Sequence, residues 1–362
     1  MTRTCHPTYE RAVGSLAVAL RVACLALSCA IAGGSAGASA PAETDAIELG
    51  RLLFFDRALS GGRDRACADC HVPVLGLADG LPTARSRTGA RLRNTPTLYN
   101  VGSKQRLFWD RRAPSLEAQV YGPLFSPDEM AAEPGELLRR LRAIPEYVRR
   151  FEAAFGPGRP AAAAHASSET PASPIDLERV ARALAAFERT LVSTRSRYDR
   201  YAKGDRDALD AAERRGLRSF RSLATRCFEC HREPTFDAPL ALGIGVPSDD
   251  PGVGGVTGNA AQRGQFGVPT LRNAALTAPY MHDGSLATLE DVVDFYRRGG
   301  GRAHGVPDDR VDPQVRAFAM SDDEVADLVA FLRALTDESA RPRAPDAVPS
   351  GLPVPGLAVA PA

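Results

Sequence analysis

The chain lacks any bias of charge: Lys and Arg number 45 and Asp and Glu 44 in 362 residues, a formal net charge of +1. Neither nucleic acid nor a membrane surface is therefore implied as a partner. Past residue 40 no apolar run approaches the roughly 20 residues that a spanning helix requires, which excludes a later membrane span of that kind. Aromatic residues are sparse, with one Trp, 8 Tyr and 14 Phe against 32 Gly and 28 Pro. That balance predicts helices joined by long ordered loops rather than extended sheet. With 44% hydrophobic residues, the length is enough for two ordinary cores.

The first forty residues read as a targeting segment. Arg11 and Arg21 precede the apolar run VACLALSCAIAGG, and a small-residue stretch, SAGASAPAE, follows it. Charged, apolar, then small is the order of a secretory signal, with cleavage near Ala38 or Ala40, and it predicts export to the periplasm as a soluble protein. Cys29 is a weaker candidate for lipid attachment, because ALSC has no leucine three residues before the cysteine. Loss of the segment removes Cys5, Cys24 and Cys29, leaving Cys67, Cys70, Cys227 and Cys230.

These four fall into two copies of one pattern, CADCH at 67 to 71 and CFECH at 227 to 231. Cys-x-x-Cys-His is the attachment signature of c-type haem. On a helical turn two thiols three apart share one face and reach the two vinyl groups of one porphyrin, while the next residue brings its imidazole under the iron. The pattern therefore predicts two covalently bound haem c groups with His71 and His231 as proximal iron ligands. A four-cysteine zinc site or two disulfides would leave the histidine after each pair unexplained.

Two haems separated in this way predict a mainly α protein of two cytochrome c-like domains, residues 41 to 175 and 176 to 336. Between them, GPGRPAAAAHASSETPASP has few bulky apolar residues and reads as a linker or insertion at about 157 to 174, with His165 exposed within it. A helical stretch is expected from Glu136 to Phe155. Leu177, Val180, Leu184, Phe187 and Leu191 follow helical spacing and predict an amphipathic helix leading into the second motif. Ser321 to Glu324, SDDE, opens a last helix as a capping box. Residues 337 to 362 are rich in Pro and read as a disordered tail. No internal repeat is evident beyond the paired motifs.

RNTPTLYNVGS, FWDRRAPSLEAQVYGPLFSPDEM, PTLRNAALTAPYMHDGS and TLEDVVDFYRRGG, together with the haem motifs, resemble the bacterial di-haem cytochrome c peroxidase and MauG family from about residue 45 to 335. The resemblance implies that the His71 haem is the peroxidatic one. Gln119 and Glu129 match the polar pair lining its open face, and Trp109 matches the aromatic residue between the haems. Asn94, Thr277 and Pro279 match positions that hold a calcium ion, the last two through backbone oxygens. The residue types suit the chemistry: splitting a peroxide moves a proton from one oxygen to the other, which a carboxyl such as Glu129 can do, and an amide such as Gln119 can hold the peroxide.

Two departures stand out. Many di-haem peroxidases carry a histidine that caps the first iron, and its position, counted from GLPT at 80 to 83, falls near Arg87, in a segment with neither His nor Met. The first iron is then expected to be open in the ferric state, and Arg85, Arg87, Arg91 and Arg93 to form a solvated basic loop. At the second iron, the methionine of the peroxidases is replaced by Tyr296, as in MauG, with Met281 the rival ligand. A phenolate favours ferric or higher states where a thioether favours ferrous iron. His282 is read as a hydrogen-bonded structural residue and His304 as exposed.

The expected function is reduction of hydrogen peroxide at the first haem, with oxidising equivalents shared through Trp109 with the His231/Tyr296 haem. The reductant is either a periplasmic electron-donor protein or a protein substrate that becomes oxidised. A di-haem electron carrier without peroxide chemistry is the alternative from another class.

Overall fold

The computed structural model describes residues 39 to 158 and 173 to 355, without the side chains of 39 to 41. The expected signal segment up to residue 38 and most of the expected 157 to 174 insertion, His165 included, lie outside the described residues. Of two compact units, Met1–Ala38 is likewise outside, and everything below concerns Ser39–Ala362.

The helices are α1 (Ser39–Phe54), α2 (Cys67–Cys70), α3 (Leu116–Phe125), α4 (Pro134–Arg142), α5 (Pro145–Phe155), α6 (Leu177–Arg189), α7 (Arg197–Ala202), α8 (Ala211–Phe220), α9 (Cys227–Cys230), α10 (Val253–Thr257), α11 (Leu289–Arg297) and α12 (Asp322–Ala334). The described strands are two short ones, β1 (Ala241–Leu242) and β2 (Phe266–Gly267), paired antiparallel. The fold is mainly α with long ordered loops, as expected. The stretch from Glu136 to Phe155 is two helices rather than one, because Pro145 cannot continue α4 and instead starts α5 at its first position.

Two cores organise these elements. The first is built from α1, α3 to α6 and the loops between them, around Phe54, Phe55, Tyr147, Phe151, Leu184 and Phe187. The second is built from α7, α8, α11 and α12, around Tyr198, Phe220, Phe236 and Phe331. The boundary between cores thus falls between Leu191 and Tyr198, not at residue 175. The helix expected to lead into the second half, α6, buries Val180, Ala181, Leu184 and Phe187 in the first core, because its apolar stripe is covered by α1.

Each core crosses a helix pair at a glycine. A β-carbon on Gly50 of α1 would lie 1.9 Å from the Ala183 carbonyl oxygen of α6, and one on Gly216 of α8 would lie 2.0 Å from that of Asp327 in α12. Only a residue without a side chain allows the backbones so close.

The correspondence runs further and overturns the expectation of no wider repeat. Pro96–Asn100, PTLYN, and Pro269–Asn273, PTLRN, stand 173 residues apart. At the same spacing Asn100 and Asn273 are left-handed (φ 59° and 60°), as are Phe108 and Met281 (67° and 74°) and Arg111 and Gly284 (60° and 65°). The bridges Leu107–Ala113 and Tyr280–Leu286 keep that spacing, and so do the starts of α3 and α11. In each half the asparagine grips the chain after the long helix: Ser193 N donates to Asn100 Oδ1 at 3.0 Å and Asp337 N to Asn273 Oδ1 at 2.6 Å. The stretch from the first cysteine to the Pro-Thr-Leu segment is 29 residues in one half and 42 in the other, and the excess carries β1, β2 and α10.

The tail is a second correction. Residues 337 to 355 are placed against the first core, where Val348 is buried. Ser350 Oγ donates at 2.6 Å to Asp56, a fully buried carboxylate that also accepts from Tyr147 Oη at 2.5 Å and Ala58 N at 2.7 Å. Proline-rich sequence need not be disordered when a few side chains along it have buried partners.

Candidate active site

Both haem motifs form one helical turn that closes on its histidine: His71 N donates to the Cys67 carbonyl at 2.8 Å and His231 N to that of Cys227 at 3.0 Å. The imidazoles are then fixed from the far side. His71 Nδ1 donates to the Leu77 carbonyl at 2.9 Å, and His231 Nδ1 to that of Phe236 at 3.1 Å. This leaves Nε2 as the lone-pair nitrogen, the tautomer a metal ligand requires. Burial pushes both imidazoles below their ordinary pKa, which keeps that lone pair unprotonated at neutral pH. None of the four cysteines is in a disulfide, and all four are half-buried. Donor set, tautomer and spacing fit one c-type haem at each motif.

What faces each motif differs. Glu129 stands on a turn just after α3 and is close enough to influence the Cys70 thiol electrostatically. Burial raises its carboxyl pKa, while Arg112, a hydrogen bond from Ser126, and Arg65 pull it down. A carboxyl held above its ordinary range is a better proton acceptor. Gln119, half-buried, lies one turn before Pro123 in α3.

On the other side, Tyr296 of α11 feels the thiols of Cys230 and Cys227, and burial pushes its phenol well above the ordinary value. The repeat makes the contrast sharp. Tyr296 is the eighth residue of α11, and the eighth residue of α3 is Pro123. One half carries an oxygen donor where the other carries a ring with none. Met281, the rival ligand, sits on the left-handed position equivalent to Phe108. Met130 and Met320 pack in the two cores.

The halves meet around Asn94 and Trp109. Trp109 Nε1 donates to the Asn94 carbonyl at 2.8 Å, Asn94 N donates to the His282 carbonyl at 2.8 Å, and Gly267 N donates to the Trp109 carbonyl at 2.7 Å. Asn94 Nδ2 donates to the carbonyls of Leu81 at 3.0 Å and Pro279 at 3.2 Å. The structure thus brings together Asn94 and Pro279 of the expected calcium set. Thr277 Oγ1 donates within its own turn to Ala274. Among the described residues no cluster of three His, Cys, Asp or Glu side chains could hold a metal.

His282 differs from expectation in one respect. It is buried, but its ring stacks on Phe266 with centroids 3.8 Å apart and its Nε2 has no hydrogen-bond partner. His304 is exposed and lies over Phe295. The basic loop is also not uniformly solvated. Arg85 and Arg91 are exposed, whereas Arg93 is held by Asp110 at 2.7 Å and by both oxygens of Asp250, and Arg87 is tied to Asp64 and to the Glu129 carbonyl. Sequence reading also missed Glu188. It is buried, with Oε2 unpartnered, and lies within electrostatic reach of Cys67. The helical stripe gave a clue, since Glu188 stands four residues after the buried Leu184, on the same face of α6.

Two haem sites on paired helical cores define a di-haem c-type protein. The di-haem cytochrome c peroxidase family model matches residues 44 to 207. MauG of Methylorubrum extorquens, the methylamine utilization protein, is 38% identical over 304 residues, 83% of this chain and 80% of the relative. Cytochrome c551 peroxidase of Nitrosomonas europaea is 34% identical, covering 82% of each chain. Among solved structures, a MauG-like protein associated with microbial copper homeostasis superposes with a TM-score of 0.71 at 33% identity, covering 82% of this chain and 91% of that one. The diheme peroxidase BthA of Burkholderia thailandensis gives 0.68 at 28%, covering 85% and 89%. The chain belongs to the di-haem cytochrome c peroxidase family, a family of haem enzymes that includes MauG.

Proposed function

We propose that this protein is an exported peroxidase that takes hydrogen peroxide at the His71 site and shares the resulting oxidising equivalents with a His231/Tyr296 site, in the manner of MauG-like members. The observation that carries the reading is the asymmetry at one equivalent helix position, Pro123 in α3 against Tyr296 in α11.

A haem held by Cys67, Cys70 and His71, and a second held by Cys227, Cys230 and His231, would supply the iron and the electrons that cleave the O–O bond. Pro123 offers no donor atom, so peroxide can approach the first haem. Glu129 accepts the proton of the inner oxygen and returns it to the outer one, which leaves as water. Gln119 orients the peroxide through its amide. Trp109, fixed by Asn94 and Gly267 at the seam, relays an electron between halves. Tyr296 would close the second site: burial alone keeps its phenol protonated, and coordination to a haem iron would remove that proton. A calcium ion at the seam would be held by Asn94, whose side chain already meets the Pro279 carbonyl, and by the carbonyls of Pro279 and Thr277.

A MauG-like use of the oxidising power, on residues of a partner protein, is favoured over rapid turnover with an electron-donor protein, because the second site presents Tyr296 rather than a thioether. The test is Glu129→Gln. Stopped-flow mixing with peroxide is expected to show formation of the oxidised product slowed at least a hundredfold with both haems still loaded. Parent-like kinetics would make the protein an electron carrier instead.

A further inference from the structure

The loop from Ala84 to Asn94 has no ligand to offer the first haem, yet it is not idle. Its centre is strapped across the turn that carries Glu129. Arg87 N donates to the Asp128 carbonyl at 2.8 Å, and Arg87 Nε to the Glu129 carbonyl at 2.6 Å. The other arm of the same guanidinium pairs with Asp64, just before the first haem motif. Thr88 and Ser86 both reach the Asp128 carboxylate. A second guanidinium works from beneath: Arg65 Nη1 donates to the carbonyls of Arg85 at 2.8 Å, Glu129 at 3.3 Å and Asp128 at 3.4 Å. The Glu129 carbonyl therefore has two cationic donors on a segment with no regular secondary structure.

We propose that Arg87 is a positioning residue for the peroxide reaction: by bridging Asp64 to the Glu129 carbonyl it holds the Glu129 turn over the first haem site. The inference rests on the reading above, that Glu129 handles the peroxide proton. The physical argument is geometric. Proton transfer needs its carboxyl within about 0.5 Å of the productive place; backbone bonds from Glu129 N, Met130 N and Ala131 N close the turn on Pro123 and Ser126, and the Asp128 and Glu129 carbonyls are gripped by Arg87 and Arg65. Arg is suited to this because its planar fork donates in two directions at once, whereas Lys is a point charge that meets one partner well. The strap also covers the turn and helps keep Glu129 from water.

The groups facing Glu129 are Arg112 from the loop before α3, Arg65 from the segment before α2, and Ser126 and Asp128 from its own turn. None is altered by changing Arg87. Removing the strap should let water reach the Glu129 carboxyl and bring its pKa down toward the ordinary carboxylate range. The rate of reaction with peroxide falls as pH drops through that pKa, so loosening should lower the plateau rate and move the acid limb to lower pH.

The experiment measures stopped-flow peroxide kinetics from pH 4 to 8 on the di-haem holoprotein for the parent, Arg87→Ala, Arg87→Lys and Glu129→Gln. Arg87→Ala is expected to lower the plateau at least tenfold and displace the acid limb downward by at least half a pH unit, with Arg87→Lys falling between it and the parent. Asp64→Ala, which leaves Arg87 in place but removes its anchor, should displace the limb in the same direction and serves if Arg87→Ala fails to fold. A slow Glu129→Gln with parent-like plateau and acid limb in the strap variants overturns the positioning role alone. A parent-like Glu129→Gln overturns the underlying reading and this role with it.

Discussion

At the scale of single residues, the haem ligands were legible because covalent attachment dictates a local pattern: two thiols and an imidazole within five positions. Tyr296 and Glu129 were proposed through resemblance and remain part of the proposed function. Arg87 was misread, since its partners Asp64, Asp128 and Glu129 are brought to it only by folding. Glu188 carries a consequence of its own. Burial pushes its carboxyl up to about 8 from an ordinary 4.5, with Glu117 adding to the shift and Arg189 opposing it. The unfolded chain releases this proton near 4.5 and the folded one keeps it until about 8, so Glu188 costs no stability below the lower value and costs progressively more as pH rises across the interval. Denaturant unfolding of the holoprotein at pH 5 and pH 8 is expected to show stability falling more in the parent than in Glu188→Gln. Equal slopes would mean that Glu188 ionises in the folded state like an exposed carboxyl.

At the scale of elements, the amphipathic stripe of α6 and the capping box of α12 could be read directly, the latter with Ser321 bonded to Glu324 N as expected. What could not be read was which core α6 joins, because an apolar stripe says that a helix is covered and not by what. The PTLYN and PTLRN repeat was obscured by unequal loops, with its phase changing after the haem motifs. The tail was misjudged for a similar reason: Ser350 and Val348 are ordinary in sequence and acquire partners only in space. Ser350→Ala should lower the unfolding free energy by about 1–2 kcal/mol, since it deprives the buried Asp56 carboxylate of a charge-assisted hydrogen bond. A loss under about 0.3 kcal/mol would mean that the tail does not rest on the first core in solution.

At the scale of the molecule, two halves built on one plan differ at the positions to which the proposed chemistry is assigned. Each has a glycine-mediated helix crossing, a motif closed on its histidine, an asparagine clamp and a helix leading toward the haem face. The eighth residue of that helix is Pro123 in one half and Tyr296 in the other, and the Glu129 turn follows α3 but has no counterpart carboxyl at Arg302, its equivalent by the 173-residue spacing. Described helices include none long and apolar enough to cross a membrane. Division of labour between the halves is the central claim, and the electron paramagnetic resonance spectrum of the oxidised holoprotein tests it most directly. The account predicts one high-spin ferric signal from an iron with an open coordination place and one low-spin signal, the low-spin one altered by Tyr296→Phe. Two low-spin signals from irons each carrying two protein ligands would contradict it.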